Sequence, residues 1–107
     1  MQAGAALIVL LAGAAPAEAE SFTAADFLTW DDANRGAYVE ISVGMAGLIA
    51  QQIDAAKAEC ITTWYFSRMS AANDEVYAAM RRFPDHHPRA LILAVLRKRC
   101  DVFQRED

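Results

Sequence analysis

Two cysteines, Cys60 and Cys100, constrain the fold of this 107-residue chain more than any other feature of its sequence. In a small exported domain an even number of cysteines indicates disulfide bonds, and two cysteines allow a single pairing. Closing a loop of about 40 residues stabilises a fold by roughly 4 kcal/mol in the chain-entropy model. Because that is a large part of a small domain's stability, we expect a Cys60–Cys100 disulfide in the folded protein.

The N-terminal sequence has the pattern of an export signal. An apolar run covers residues 3–15, Pro16 interrupts it, and Ala17-Glu18-Ala19 has the small-x-small pattern of a signal-peptidase site. A helix that crosses a bilayer needs about 20 apolar residues, and this run is shorter, which favours a cleaved signal over a membrane anchor. The pattern predicts a signal peptide at 1–19 and a single helical domain at 20–107. It also predicts a periplasmic or secreted location, with no stable membrane span after cleavage.

The charge of the mature chain argues against nucleic acid as a partner. The full chain carries 10 Lys+Arg and 14 Asp+Glu, so removal of Glu18 leaves 10 against 13, a net charge near −3. Phosphate binding needs a concentrated basic face. The basic cluster Arg97-Lys98-Arg99 lies where cations stabilise the C-terminal end of a helix, so it does not require a nucleic-acid ligand.

Hydrophobic periodicity predicts an all-α fold, a compact bundle of about four helices with one disulfide. Thr23 and Asp26 have the spacing of a capping box at the start of a short first helix, and Asp31 or Asp32 is expected to cap a long second helix over 33–59. One face of that helix collects apolar side chains that we expect to be buried. They are Tyr38, Ile41, Met45, Leu48, Ile49, Ile53, Ala56 and Cys60.

The second half of the chain is predicted to add two helices. Residues 61–69 are rich in β-branched and aromatic types and are expected to form an extended link. Ser70 or Asn73 is then expected to cap a third helix that runs through Phe83. The segment 84–88 is predicted to be a turn, and Pro88 to begin a fourth helix that runs to about Phe103.

Two mid-helix glycines, Gly44 and Gly47, lie in the predicted second helix. A glycine in a helix interior costs about 1 kcal/mol relative to alanine. That cost indicates that a neighbouring backbone packs closely there, or that the helix bends.

Three consecutive aromatic residues, Trp64, Tyr65 and Phe66, are candidates for a partner-binding patch. Together with Trp30 they are also suited to an ordinary core, because a small bundle needs bulky side chains. Three neighbours cannot all point inward, so at least one is expected to be partly exposed.

The two histidines, His86 and His87, are candidates for pH sensing, because imidazole gains charge as the pH falls toward 5. The preferred interpretation is a pair of solvated histidines beside prolines in a turn. They do not complete a hydrolytic triad, and their spacing from Cys60 and Cys100 matches no usual zinc pattern. We therefore expect no catalytic site, no metal and no cofactor.

The order of landmarks resembles the immunity proteins of type VI secretion amidase effectors, the Rap/Tai-like family, and more loosely the Hde-type acid-stress chaperones. The landmarks are Asp26-Phe27-Leu28, Tyr38-Val39 followed by Gly44, Cys60 near a helix end, and EVYAAMRRFPDHHPRALILAVLRKRC at 75–100. The resemblance implies a small exported helical fold. It also implies a non-enzymatic module that binds a protein, in the first family a cell-wall amidase.

Three functions stay open at this point. The first is a periplasmic protein-binding module of the immunity type, with an exposed apolar or aromatic patch. The second is an acid-stress chaperone, which becomes strongly positive as its carboxylates protonate and then loosens. The third is an accessory subunit of an envelope complex. A protein partner is expected in each case, and a homodimer is an additional alternative.

Overall fold

The computed structural model describes residues 21–104. The predicted signal peptide and the last three residues of the chain lie outside the described residues. Within the described part the fold is all-helical, as predicted. Its helices are α1 (Ala24–Leu28), α2 (Asp32–Gln51), α3 (Ala55–Ser67), α4 (Met69–Arg82) and α5 (Pro88–Cys100). No helix in this part of the chain is long and apolar enough to cross a bilayer.

Local hydrogen bonds start the first two helices as predicted. The Thr23 side chain accepts from the Asp26 backbone N–H, and the Asp26 carboxylate accepts from the Thr23 N–H, which completes a capping box. The Asp31 carboxylate accepts from the Asn34 N–H at 2.8 Å and starts α2.

A corner at Gln52–Asp54 divides the predicted long helix in two, so the prediction of one helix over 33–59 is wrong. Asp54 has an extended backbone, and its carboxylate accepts from the Ala56 and Lys57 N–H groups. Aspartate favours a helix N-cap over a helix interior because its short side chain competes for backbone N–H groups. A new helix, α3, therefore begins at Ala55 and places Cys60 in its interior.

The expected extended link at 61–69 is helical instead. Helix α3 continues to Ser67 because Ile61 and Tyr65, four residues apart on one face, are both fully buried. Burial of that face outweighs the modest helix propensity of β-branched and aromatic residues. The start of α4 also differs from the prediction, since neither Ser70 nor Asn73 caps it, and α4 begins at Met69 directly after the bend at Arg68.

The last helix begins as predicted and ends earlier. Pro88 occupies its first turn, and Ile92, Val95 and Leu96 are buried. Helix α5 ends at Cys100 because Asp101 adopts a left-handed conformation, with φ of 53°. Phe103 therefore lies beyond the helix, partly buried against the core.

The disulfide joins Cys60 to Cys100, as predicted, and the two Cα atoms are 5.8 Å apart. It ties the end of α5 to the interior of α3. Lys57 reinforces the same junction, since its ammonium donates to the Asp101 carbonyl at 2.6 Å. The disulfide and this charge-assisted hydrogen bond therefore both join α3 to the end of α5.

Candidate functional site

The apolar side chains of α2 face opposite to the prediction. The inward positions are Val39, Val43, Ala46, Gly47 and Ala50. The predicted core face is instead exposed: Ile41 by 67%, Met45 by 57%, Leu48 by 67%, Ile49 by 50% and, just past the helix, Ile53 by 71%. Helix α2 thus packs its small apolar residues inside and presents its large ones to solvent. The expectation that this stripe forms core is wrong for its five large aliphatic side chains and for the exposed Ala56. Tyr38 and Cys60, which belong to the same predicted stripe, are partly buried against the core. Helix α2 therefore carries apolar side chains on both sides.

The outer face of α2 has two parts. We call Ile41, Gly44, Met45 and Leu48 the outer ridge. Beside the ridge, toward α5, lies an open groove of about 550 Å³, which we call the α2–α5 groove. Its apolar walls are Ile41, Met45, Ala46 and Ile49 from α2, Ile92 and Leu93 from α5, and Phe103 from the C-terminal segment.

Two polar residues, Ser42 and Arg89, also line this groove. The Arg89 guanidinium lies over the Tyr38 ring, 4.9 Å from its centre, and its Nε donates to Ser42 Oγ at 3.5 Å. Within residues 21–104 it makes no ion pair. Burial raises the pKa of Tyr38, and the Arg89 charge opposes that rise. The groove is therefore apolar along its length, with one cation that is free to meet an anion.

The three predicted aromatic residues do not share one surface. Tyr65 is fully buried, Trp64 is partly buried, and Phe66 is 45% exposed. The expectation that at least one of them is partly exposed is confirmed, but Tyr65 belongs to the core and is not a surface residue. Burial, more than the nearby Glu40 charge, raises the pKa of Tyr65 to about 12.

The two histidines have different surroundings in the turn before α5. His86 is exposed and packs edge-on against Phe83, while its backbone carbonyl accepts from the Ala24 N–H at 2.7 Å. The His87 Nδ1 accepts from the Arg89 N–H at 3.1 Å and so caps α5, and its ring meets Phe22 edge-on. His87 thus has a local structural role, and the pH-sensing role of both residues stays a prediction.

No group of three His, Cys, Asp or Glu side chains in the described part of the chain is placed to hold a metal ion. Both sulfur atoms that a zinc site would use are in the disulfide.

The α2–α5 groove was not predicted from the sequence. A signal was present: residues 41–53 contain no charged side chain, although a helix with one solvated face usually carries several. Arg89 and Leu93 were not recognised, since each is a common residue type whose partner lies on a different helix.

Comparison of this chain with protein-family models, with curated proteins and with solved structures finds no match. A functional assignment therefore depends on the geometry of the outer face of α2.

Proposed function

We propose that this protein is a non-enzymatic, exported protein-binding module that accepts an apolar segment of another polypeptide in the α2–α5 groove. One observation carries the proposal: the groove is open, apolar along its walls, and flanked by large aliphatic side chains that the fold leaves in solvent. Contiguous exposed apolar surface on a small protein is typical of an interaction site.

The energetics favour this use of the face. Burying one Ile, Leu or Met side chain contributes about 1.5–3 kcal/mol. Ile49 is half exposed, and Leu93 and Phe103 are only partly buried, so each has area left to bury. A segment that covers all three gains binding energy in a small contact area.

The groove also indicates the chemistry of the segment. Its α2 wall presents Ile41, Met45 and Ile49 at intervals of four residues, a spacing that suits an amphipathic helix laid alongside. Arg89 is the charged residue in its lining, and its guanidinium forms two-pronged hydrogen bonds with carboxylates. The proposed segment therefore has apolar residues at helical spacing and one Asp or Glu that meets Arg89.

The resemblance to immunity proteins makes the proposal more specific. In that version the segment belongs to a cell-wall amidase, and the module blocks the enzyme by binding it.

The test is affinity capture from periplasm with matched variants. Wild-type protein is compared with Ile49→Glu and Leu93→Glu in the groove, and with Gln51→Glu, which adds the same charge at an exposed position outside it. We expect one stoichiometric partner with the wild type and with Gln51→Glu, and its loss with both groove variants. Titration calorimetry with the purified partner then gives the change in affinity, and Arg89→Gln is expected to weaken binding about tenfold, a loss near 1.4 kcal/mol.

Equal capture by the groove variants would overturn the proposed site. Many clients that appear only after acid shock would point to the chaperone function instead.

A further inference from the structure

The exposure of the outer ridge of α2 is not explained by the groove. Leu48 and Gly44 do not line the groove, yet Leu48 is 67% exposed and forms the middle of the apolar face with Met45. On a helix of 3.6 residues per turn, Ile41, Met45 and Leu48 project within about 60° of one another. They form a straight apolar ridge that faces away from the core.

Gly44 lies on this ridge, and no packing contact within residues 21–104 accounts for it. A Cβ atom added there would meet no atom within 4 Å among its described neighbours, whereas a Cβ added at Gly47 would meet Thr62 Cγ2 at 3.4 Å. The missing side chain at Gly47 thus leaves room for α3, whereas no described residue occupies the space outside Gly44. A mid-helix glycine costs about 1 kcal/mol, and close approach of a second backbone is the usual compensation.

We infer that a second copy of this chain covers the ridge, with the two α2 helices antiparallel about a two-fold axis between Gly44 and Met45. The spacing of the outward residues carries the inference. Along Ala37, Ile41, Gly44, Met45, Leu48 and Gln52 the intervals are 4, 3, 1, 3 and 4 residues, the same in both directions.

That symmetry makes the ridge complementary to itself. A two-fold contact is one in which residue i meets j and residue j meets i. Antiparallel pairing places Ile41 opposite Leu48 of the second copy, and Met45 opposite the open space at Gly44. Large side chains therefore meet small ones at the centre, as packed helix interfaces require.

Charge placement agrees with this arrangement. The paired segment, residues 37–52, carries one charged side chain, the exposed Glu40. The two Glu40 carboxylates are separated by nine residues along the axis, about 13 Å, beyond the Debye length of about 10 Å at 0.1 M salt. A parallel pair in register would instead bring the two Glu40 side chains together and leave Gly44 facing Gly44.

The inference goes beyond the proposed function, because it gives a role to Gly44 and Leu48, which do not line the groove. Ile41 and Met45 belong to both surfaces, so a second copy and a partner segment compete for these two side chains. Leu48 belongs to the ridge alone, and Ile49 and the α5 wall belong to the groove alone. Different substitutions therefore test the two proposals. Leu48→Glu is expected to break the dimer and leave partner capture intact, and Ile49→Glu is expected to do the reverse.

Light scattering after gel filtration over a concentration series tests the dimer. We expect twice the mass of one chain for the wild type and for Gln51→Glu, and the mass of one chain for Leu48→Glu with an unchanged helical circular dichroism spectrum. A wild type with the mass of one chain at every concentration, or a Leu48→Glu variant that stays dimeric, would overturn the inference.

Cysteine cross-linking tests the direction of pairing. A mixture of the Ile41→Cys and Leu48→Cys variants is expected to form an intermolecular disulfide. Ile41→Cys alone is expected to stay uncrosslinked, because its two copies are about 10 Å apart along the axis. Efficient self-crosslinking of Ile41→Cys would show a parallel pair and contradict the arrangement.

Discussion

The Tyr65 hydroxyl donates a 2.7 Å hydrogen bond to Oδ1 of Asn73, across the bend between α3 and α4. Tyr65 is fully buried, and burial raises the pKa of its phenol from 10.0 to about 12. Because α4 begins at Met69, Asn73 lies inside the helix and its side chain is placed to accept this hydrogen bond. We therefore expect the stability of the folded protein to fall at alkaline pH, where the Tyr65 hydroxyl loses its proton.

The first prediction concerns that sensitivity. The folded state holds the Tyr65 proton more tightly than the unfolded chain, so its stabilisation is complete below pH 10 and is lost as the pH rises through about 12. Denaturant unfolding at a series of pH values, with tyrosinate absorbance in parallel, is expected to show this fall. In Tyr65→Phe the fall of the unfolding free energy with pH above pH 10 is expected to become smaller. Some pH dependence is expected to remain, because burial also raises the pKa values of Tyr38 and Tyr77. An unchanged slope in Tyr65→Phe would contradict the assignment.

The second prediction concerns the disulfide. Replacing both Cys60 and Cys100 with alanine is expected to lower the free energy of unfolding by about 4 kcal/mol, because the unfolded chain regains the entropy of an open loop. Urea denaturation of the double variant measures the loss, and reduced wild-type protein is the control, with a similar loss expected. A difference below about 1 kcal/mol would contradict this expectation.

The third prediction compares two isoleucines. Ile61→Ala is expected to cost about 2–5 kcal/mol, because Ile61 is fully buried and its truncation leaves a cavity. Ile41→Ala is expected to change stability by less than about 0.5 kcal/mol in dilute, monomeric protein, because Ile41 is 67% exposed. Urea midpoints of both variants provide the comparison. Equal costs would mean that α2 packs with the opposite face inward.

The fourth prediction concerns the two glycines of α2. Gly44→Ala is expected to stabilise the single chain by about 1 kcal/mol, since the added methyl gains helix propensity and meets nothing within 4 Å. Gly47→Ala is expected to increase the free energy of unfolding by less, because its methyl would meet Thr62 Cγ2 at 3.4 Å. Thermal unfolding of dilute protein measures both. At high concentration Gly44→Ala is expected to weaken self-association, since the methyl fills the space that Met45 of a second copy needs.

A salt bridge supplies a fifth, weaker effect. Arg99 binds Glu75 with a closest contact of 2.6 Å, and the bond to Glu75 raises the pKa of Arg99. Both side chains are partly exposed, so Glu75→Gln is expected to lower stability by at most about 1 kcal/mol. Chemical denaturation at low and high salt checks this, with a smaller difference expected at high salt.

Local chemistry was predictable at several helix ends. The capping box at Thr23, the cap at Asp31 and Pro88 in the first turn of α5 each depend on residues within a few positions of one another. The Cys60–Cys100 bond was predictable because two cysteines have one pairing. The corner at Asp54 carried the same kind of signal, but the apolar periodicity on both sides of it concealed the break.

The helical fold, the starts of α1, α2 and α5 and the pairing of the cysteines could all be predicted, because hydrogen bonds between near neighbours and one covalent bond specify those features. The buried face of α2 could not be predicted in this way. Ile41 and Val43 are both apolar, and their burial depends on the summed packing of α2 against residues distant in sequence, such as Thr62 beside Gly47. The close approach of α3 favours the small residues on the inside, and the large ones are left exposed to solvent.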